Sequence, residues 1–367
     1  MKRVLVFGIT DNPGGMESVI MNYYRNIDRS QVQMEFLCNT QVVAHEKEIL
    51  QLGGVIHRIP ARKDGVSAFR QALRCFFDQN GARYSAFWFN TCSLANIEYL
   101  KEAKRVGISC RILHCHNAAN GDSFLRGLLH RVNQKQALRL ATDYWTCSED
   151  ANRWFFGTDH MDRYPTYRLV NNAIDAASFV MNTEVRAQYR KQLGLEGKTV
   201  IGHVGRFHFQ KNQKFLIPIA AELRKRGTDA VFLLVGQGDD LGEVKQLADE
   251  NGVSDRFHFL GVRSDVKELL WAMDVFVFPS VFEGLSIAIL EAQAAGLPCV
   301  VSDQIPAKSQ IADEVKFLPL SASPEVWADA LMAAAAGTRC DNREKFVQAG
   351  FDIRQEAKKM EAFFLEK

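Results

Sequence analysis

Short apolar runs recur along this chain, each followed by a polar, often glycine-bearing stretch and then by apolar residues at helical spacing. In the first half, residues 4–9, 32–38, 55–59, 85–90, 110–115 and 144–147 read as strands, too short and too rich in β-branched and aromatic residues for helices. Between them, residues 16–26, 46–52, 66–79 and 94–106 carry the helical period. The second half repeats the alternation, with strands at 199–204, 231–235, 255–260, 274–278 and 299–302. Helices are expected at 183–193, through Phe215, Leu216, Ile219 and Leu223, at 266–273, from Leu285 through Glu291, and at 324–336, 343–350 and 353–365. Strand and helix in strict alternation mean an α/β fold with parallel, doubly wound sheets.

At 367 residues the chain exceeds a single ordinary core, so two domains of about 170 to 190 residues each are expected. The stretch 157–165 is polar and turn-rich, and Asn171-Asn172-Ala173-Ile174-Asp175 follows it. This places the boundary near residue 171, giving domains 1–170 and 171–350. Charge changes the picture little. The net formal charge is +2, which argues against a nucleic-acid partner. The halves differ, however: residues 1–170 hold 22 Lys and Arg against 16 Asp and Glu, leaving 23 against 27 for the rest. The eight cysteines show no Cys-x-x-Cys and read as reduced, buried thiols of a cytoplasmic protein. The apolar start at residues 4–9 is too short for the core of a signal peptide, and no uninterrupted apolar stretch reaches membrane-spanning length.

Chemistry is expected where strands end, because ligands of parallel α/β sheets gather at the carboxyl ends of the strands. The strand at 274–278 runs into Pro279-Ser-Val-Phe-Glu-Gly-Leu285 and then a helix. Gly284 allows close approach of a ligand, and the amides of Leu285, Ser286 and Ile287 at the helix start would suit an anion. Glu283 precedes the helix, and Glu291 lies two turns in among Ile287, Ile289, Leu290 and Ala292, where a carboxylate needs polar partners. Sugar hydroxyls would serve. Similarly, residues 199–204 run into Gly205-Arg206-Phe-His-Phe-Gln-Lys211-Asn212. Arg206 offers a fork of donors and Lys211 a point charge, the pairing expected around a diphosphate. Gly236 and Gly238 follow the next strand, and Arg263 and Asp265 the one after, Asp265 in the position of a helix N-cap. In the first half, Asp11-Asn-Pro-Gly14-Gly15 joins the first strand to its helix and is not a dinucleotide fingerprint. His114-Cys115-His116 closes the strand at 110–115. Adjacent strand residues point to opposite faces, so a metal centre there is disfavoured and His114 reads as a core histidine.

Glu283-x7-Glu291 within Pro-Ser-x-x-Glu-Gly and Glu-Ala-x-Ala-x-Gly-x-Pro resembles the signature of retaining GT-B glycosyltransferases of family 4, closest to the capsular and exopolysaccharide branch. The resemblance extends to Gly14-Gly15-x-Glu17, His114-x-His116-Asn117, Gly205-Arg206 with Lys211, Val235-Gly236-x-Gly238 and Asn172-x-Ile174-Asp175. It implies two Rossmann-like domains facing a cleft, with residues 351–367 crossing back onto the first. It also implies roles: Arg206, Lys211 and the amides of Leu285 and Ser286 on the diphosphate, Glu291 on the ribose and Glu283 on the donor sugar. His116 would contact the transferred sugar. Gly14 and Gly15 would lie near the phosphates and acceptor, while Gly236, Gly238 and Arg263 would border the nucleotide. The activity implied is transfer of a hexosyl or N-acetylhexosaminyl group from a nucleotide sugar, with uridine the favoured base. The acceptor would be a glycan or a polyprenyl-diphosphate-linked oligosaccharide. No metal or other cofactor is called for, since the cations and amides supply the charge. Two alternatives remain: a sugar-nucleotide epimerase of the same fold, and a non-catalytic nucleotide-sugar binder.

Two stretches each admit two readings. Residues 123–142 form an expected helix with Phe124, Leu125, Leu128, Leu129 and Val132 on one side, cations Arg126, Arg131, Lys135 and Arg139 elsewhere, and no acid between them. The helix at 66–79 mixes Phe69, Leu73, Phe76 and Phe77 with Arg70 and Arg74. The simpler reading packs these stripes on the sheet; the other lays them on the anionic inner face of the cell membrane.

Overall fold

The computed structural model describes residues 1–117, 124–158 and 160–367. It divides into two compact units, 1–173 with 350–367, and 174–349.

The first unit contains strands β1 (Lys2–Phe7), β2 (Val32–Cys38), β3 (Val55–Arg58), β4 (Ala86–Thr91), β5 (Cys110–Cys115), β6 (Asp143–Thr146) and β7 (Tyr167–Leu169). They pair in parallel in the order β3-β2-β1-β4-β5-β6-β7. Helices α1 (Gly15–Asn26), α2 (Glu46–Gln51), α3 (Val66–Asn80), α4 (Glu98–Arg105), α5 (Phe124–Leu140) and α6 (Glu149–Phe156) connect them. The order reverses between β1 and β4, which makes the carboxyl ends of these strands the natural crevice. Alternation sorts the core. Leu5, Phe87, Phe89 and Leu113 face one side, with Phe69, Leu73, Phe77, Tyr99 and Leu100 from α3 and α4. Trp88 and Trp145 share the other side with His114.

The second unit contains β8 (Thr199–Val204), β9 (Ala230–Val235), β10 (Phe257–Phe259), β11 (Val275–Phe278), β12 (Cys299–Ser302) and β13 (Val315–Leu318), in the parallel order β10-β9-β8-β11-β12-β13. Its helices are α7 (Thr183–Gln192), α8 (Leu216–Lys225), α9 (Leu241–Glu250), α10 (Val266–Ala272), α11 (Ile287–Ala294), α12 (Pro324–Ala335) and α13 (Arg343–Gln348). Its crevice lies between β8 and β11. The continuous apolar text of β11 follows from burial on both faces: Val275 and Val277 pack with Leu223 and Trp327, and Phe276 and Phe278 with Leu270 and Ile289. Asp274, just before β11, is held by Arg186 and Arg190 of α7 and accepts from the Val200 amide at 2.8 Å. Strand β13 and helix α9 lie outside the sequence-based expectations. β13 is an edge strand in which only Leu318 is buried, and α9 buries only Val244 and Ala248.

The last helix, α14 (Ile353–Glu366), belongs to the first unit, where it packs on α1 and sets Phe363 and Phe364 against Trp145 and Trp88.

Three expectations are corrected. All eight cysteines are free thiols, but Cys75 and Cys92 are exposed and Cys340 is half-exposed. The Asp265 carboxylate does not cap α10; it engages Arg263 and the Tyr189 hydroxyl instead. Finally, α3 buries its aromatic stripe as the simpler reading requires, whereas α5 leaves its stripe exposed. Residue 123, expected to open this helix, lies outside the described residues. The inner face of α5 is Gly127, His130, Ala137 and Leu140, fastened by side-chain hydrogen bonds rather than by large apolar groups.

Phe364 is fully buried. Phe364→Ala is therefore expected to destabilise the first unit by about 3–5 kcal/mol, read as a lower urea midpoint for tryptophan fluorescence. An unchanged midpoint would show that α14 is not part of that core.

Candidate active site

In the second unit the loops after β8 and β11 are tied together. The Val281 amide donates to Gln210 O at 2.8 Å, Gln210 Nε2 to Phe282 O at 3.1 Å and Asn212 Nδ2 to Pro279 O at 3.1 Å. This brings two of the expected site residues into contact. Lys211 Nζ donates to Glu283 Oε1 at 2.6 Å, with 18% and 6% of the two side chains exposed. Lys211 also lies over the Phe278 ring, 4.7 Å from its centroid. A cation so placed keeps donor capacity beyond its single carboxylate bond, since an ammonium has three protons.

Beneath this pair His203 is fully buried on β8. Its Nδ1 lies 3.0 Å from Val277 O and must donate there, so Nε2 accepts from Gln213 Nε2 at 3.1 Å. Gln213 Nε2 also donates to Arg206 O at 2.9 Å. The neutral imidazole thus fixes the backbone that carries Arg206. Burial, with a smaller contribution from the Lys211 charge, lowers its pKa to about 4.

Arg206 itself is exposed and pairs with Asp239 of the β9 loop at 3.0 Å. Arg263 is paired within its own loop to Asp265, whose carboxyl is held down at about 2 chiefly by that bond. The glycines fall into two classes. A side chain on Gly236 or Gly238 would strike the carbonyls of Gly205 or Phe207, so these glycines let the β9 loop lie directly on the β8 loop. By contrast, a methyl on Gly284 would meet nothing within 4 Å, and its φ is not positive. Leu285 is buried, and Ser286 occupies the N-cap of α11 without a side-chain cap. Among the described residues no acceptor meets the amides of Ser286 and Ile287, the orphan donors of a helix start. Glu291 is half-buried on α11.

In the first unit His116 follows β5. Its Nε2 donates to Asn90 Oδ1 at 2.8 Å, and its amide donates to Thr91 O at 3.1 Å. Asn90, fully buried at the end of β4, is fixed in turn by the carbonyls of Phe7 and Trp88. Burial lowers the His116 pKa to about 3, leaving a neutral ring. His114 points to the core, with Nδ1 accepting from Trp88 Nε1 at 3.1 Å. Gly14 caps α1 and Gly15 opens it, with open space where a Gly15 side chain would stand. Behind them the Glu17 carboxylate is 5% exposed and accepts from Thr10 Oγ1 at 2.6 Å, its pKa raised by burial. Asn90 and His203 were not among the expected site residues. Each is a polar residue within an apolar strand run, and that placement is the signal that could have found it. Among the described residues no three His, Cys, Asp or Glu side chains converge to hold a metal.

Two outcomes test this geometry. Gly284→Ala should leave stability within about 0.5 kcal/mol, whereas Gly236→Ala, at φ +138° and against a carbonyl, should lower the melting temperature by several degrees. Equal effects would remove the distinction between ligand space and packing. For His203, a folded pKa below the ordinary value means that the unfolded chain binds more protons between about pH 4 and 6.5. Its stabilisation is complete above pH 6.5 and falls by about 3 kcal/mol as pH drops to 4. Urea titrations of wild type and His203→Asn across this window should differ by that slope, and parallel profiles would show that His203 is not held neutral.

Residues 185–352 match the family model described as glycosyl transferases group 1. Over 363 residues the chain is 35% identical to EpsF of Bacillus subtilis (strain 168), whose name assigns it provisionally to the glycosyltransferases; 96% of this chain and 94% of that protein are covered. A 139-residue segment is 35% identical to the Escherichia coli UDP-Gal:alpha-D-GlcNAc-diphosphoundecaprenol alpha-1,3-galactosyltransferase, covering 37% of this chain and 36% of that one. The crystal structure of Anabaena Alr3699/HepE in complex with UDP and glucose superposes with a TM-score of 0.79 over 98% of both chains, at 19% identity, a likeness of fold. With two doubly wound parallel units and a relative 35% identical over 96% of the chain, the chain belongs to the group 1 glycosyltransferases and has the GT-B fold.

Proposed function

We propose that this glycosyltransferase acts with retention and without a metal. It moves a hexosyl or N-acetylhexosaminyl group from a UDP-sugar to a hydroxyl of a glycan or polyprenyl-diphosphate-linked acceptor, in capsular or exopolysaccharide synthesis at the cytoplasmic side of the membrane. The observation that carries the proposal is the Lys211–Glu283 contact on two interlocked loops at the β8/β11 crevice, beside the orphan amides that open α11. The names of relatives add support for the substrates: the Escherichia coli enzyme takes its galactose from UDP and its acceptor on diphosphoundecaprenol, and HepE binds UDP-glucose.

In this reading the bond between the anomeric carbon and the β-phosphate oxygen breaks. Lys211, Arg206 and the amides of Leu285, Ser286 and Ile287 receive the charge that develops on the phosphate. This is why no metal is invoked. Glu283 holds hydroxyls of the donor sugar and Glu291 those of the ribose, while the neutral His116 contacts the transferred sugar. Gly284, Gly14 and Gly15 leave room for the donor; Gly236, Gly238 and Arg263 border the nucleotide. The acceptor oxygen bonds to the face the phosphate leaves, and its proton passes to that phosphate.

Purified protein titrated with UDP, GDP, ADP and their sugar conjugates, without divalent metal, tests the reading. UDP and one UDP-sugar should raise the melting temperature, equivalent to about 2.7 kcal/mol at a hundredfold excess over Kd, with Glu291→Ala losing most of the effect. Absence of stabilisation by every nucleotide would refute the anion site. A product of inverted anomeric configuration would refute retention alone.

A further inference from the structure

Helix α5 is amphipathic in the wrong direction for a helix packed on a sheet. The side facing the protein carries its polar groups: His130 Nε2 donates to Trp154 O at 2.9 Å and Nδ1 accepts from the Leu94 amide at 3.1 Å. Asn133 Nδ2 donates to Leu94 O at 2.8 Å, and Gln134 Nε2 to Phe155 O at 3.1 Å. The side facing away carries the apolar residues. Phe124 is 83% exposed, Leu125 68%, Leu128 51%, Leu129 42% and Val132 68%. At about 100° per residue these five fall within one arc of about 140°. Arg131, Lys135 and Arg139, all exposed and four residues apart, continue that outward face toward the end of the helix: Arg131 borders the arc, and Lys135 and Arg139 fall in its sector one to two turns further on. The helix contains no acid, and Lys104 of α4 reaches its end through a bond to Arg139 O.

Exposed apolar side chains in such a cluster are unfavourable in water unless something covers them. We propose that this face of α5 docks on an anionic lipid bilayer, its apolar arc entering the headgroup boundary and its cation row engaging lipid phosphates. An outward face that is apolar over its first turns and cationic over its last ones offers both apolar side chains for insertion and cations for lipid phosphates, the two contacts a helix makes in a membrane interface. Charge selects the partner: a row of cations with no acid among them favours an anionic surface over a zwitterionic one. Among the described residues no helix is long and apolar enough to cross a membrane, so α5 lies on the surface. The inference stands independently of the donor, the acceptor and the stereochemistry proposed above.

Flotation of the full chain with phosphatidylglycerol or phosphatidylcholine vesicles provides the test. The protein should float with phosphatidylglycerol at low salt, less at high salt, and little with phosphatidylcholine. Leu128→Glu combined with Val132→Glu should cut the bound fraction at least about tenfold. Lys135→Ala and Arg139→Ala should each lower partitioning about fivefold. Melting temperature and response to UDP should be unchanged, because all these side chains project from the surface; the cation variants remain informative if the glutamate variant fails to fold. Failure to float with phosphatidylglycerol, or flotation indifferent to both sets of substitutions, would overturn the proposal. So would self-association abolished by Leu128→Glu with Val132→Glu, which would assign the face to a second copy of the chain.

Discussion

A parallel strand buried on both faces has no position along its length for a solvated polar group. That constraint organises both units. β11 reads Val-Phe-Val-Phe because each face meets helices, and the first residues free to carry charge are those beyond its carboxyl end. The same holds for β8, whose loop supplies Arg206 and Lys211, and for β5, whose end supplies His116. Where a polar side chain is buried within these strands, its hydrogen bonds face inward and its role is support. His203 holds the backbone of the Arg206 loop through Gln213, and Asn90 fixes the His116 ring.

Support and chemistry are therefore separated by depth. Asp274 enters from below β11, and its two arginines and the Val200 amide consume its lone pairs, so it clamps the sheet at the end away from the site. Glu283, at the other end, has one cationic partner in Lys211 at 2.6 Å. The two carboxylates have similar chemistry and different uses because their neighbours differ.

Much of this was legible in the residues. Alternating apolar runs identified eleven of the thirteen strands by position, since period and burial dictate each other in a doubly wound sheet. β13 escaped because an edge strand with one buried residue carries almost no pattern. The contact between Lys211 and Glu283 could not be read from residues 72 apart in sequence; it depends on β8 and β11 being neighbours, which topology decides. Asp265 occupies a helix start yet turns its carboxylate toward Arg263 and Tyr189, because a guanidinium fork two residues away outcompetes an orphan amide.

Helices α3 and α5 show where sequence pattern alone stops. Both mix large apolar residues with arginines at similar spacing, yet Phe69, Leu73, Phe76 and Phe77 are buried whereas Phe124, Leu125, Leu128 and Val132 are exposed. Hydrophobic periodicity says that a face exists and leaves open which way it points. For α5 the decision rests with His130, Asn133 and Gln134, which donate to the carbonyl of Leu94 in the loop after β4 and to those of Trp154 and Phe155 in the last turn of α6. Turning the apolar arc inward would break these bonds and expose the polar side chains in its place. The orientation is thus set by hydrogen bonding against hydrophobicity, and a helix held in that state keeps an apolar surface ready for something other than its own core.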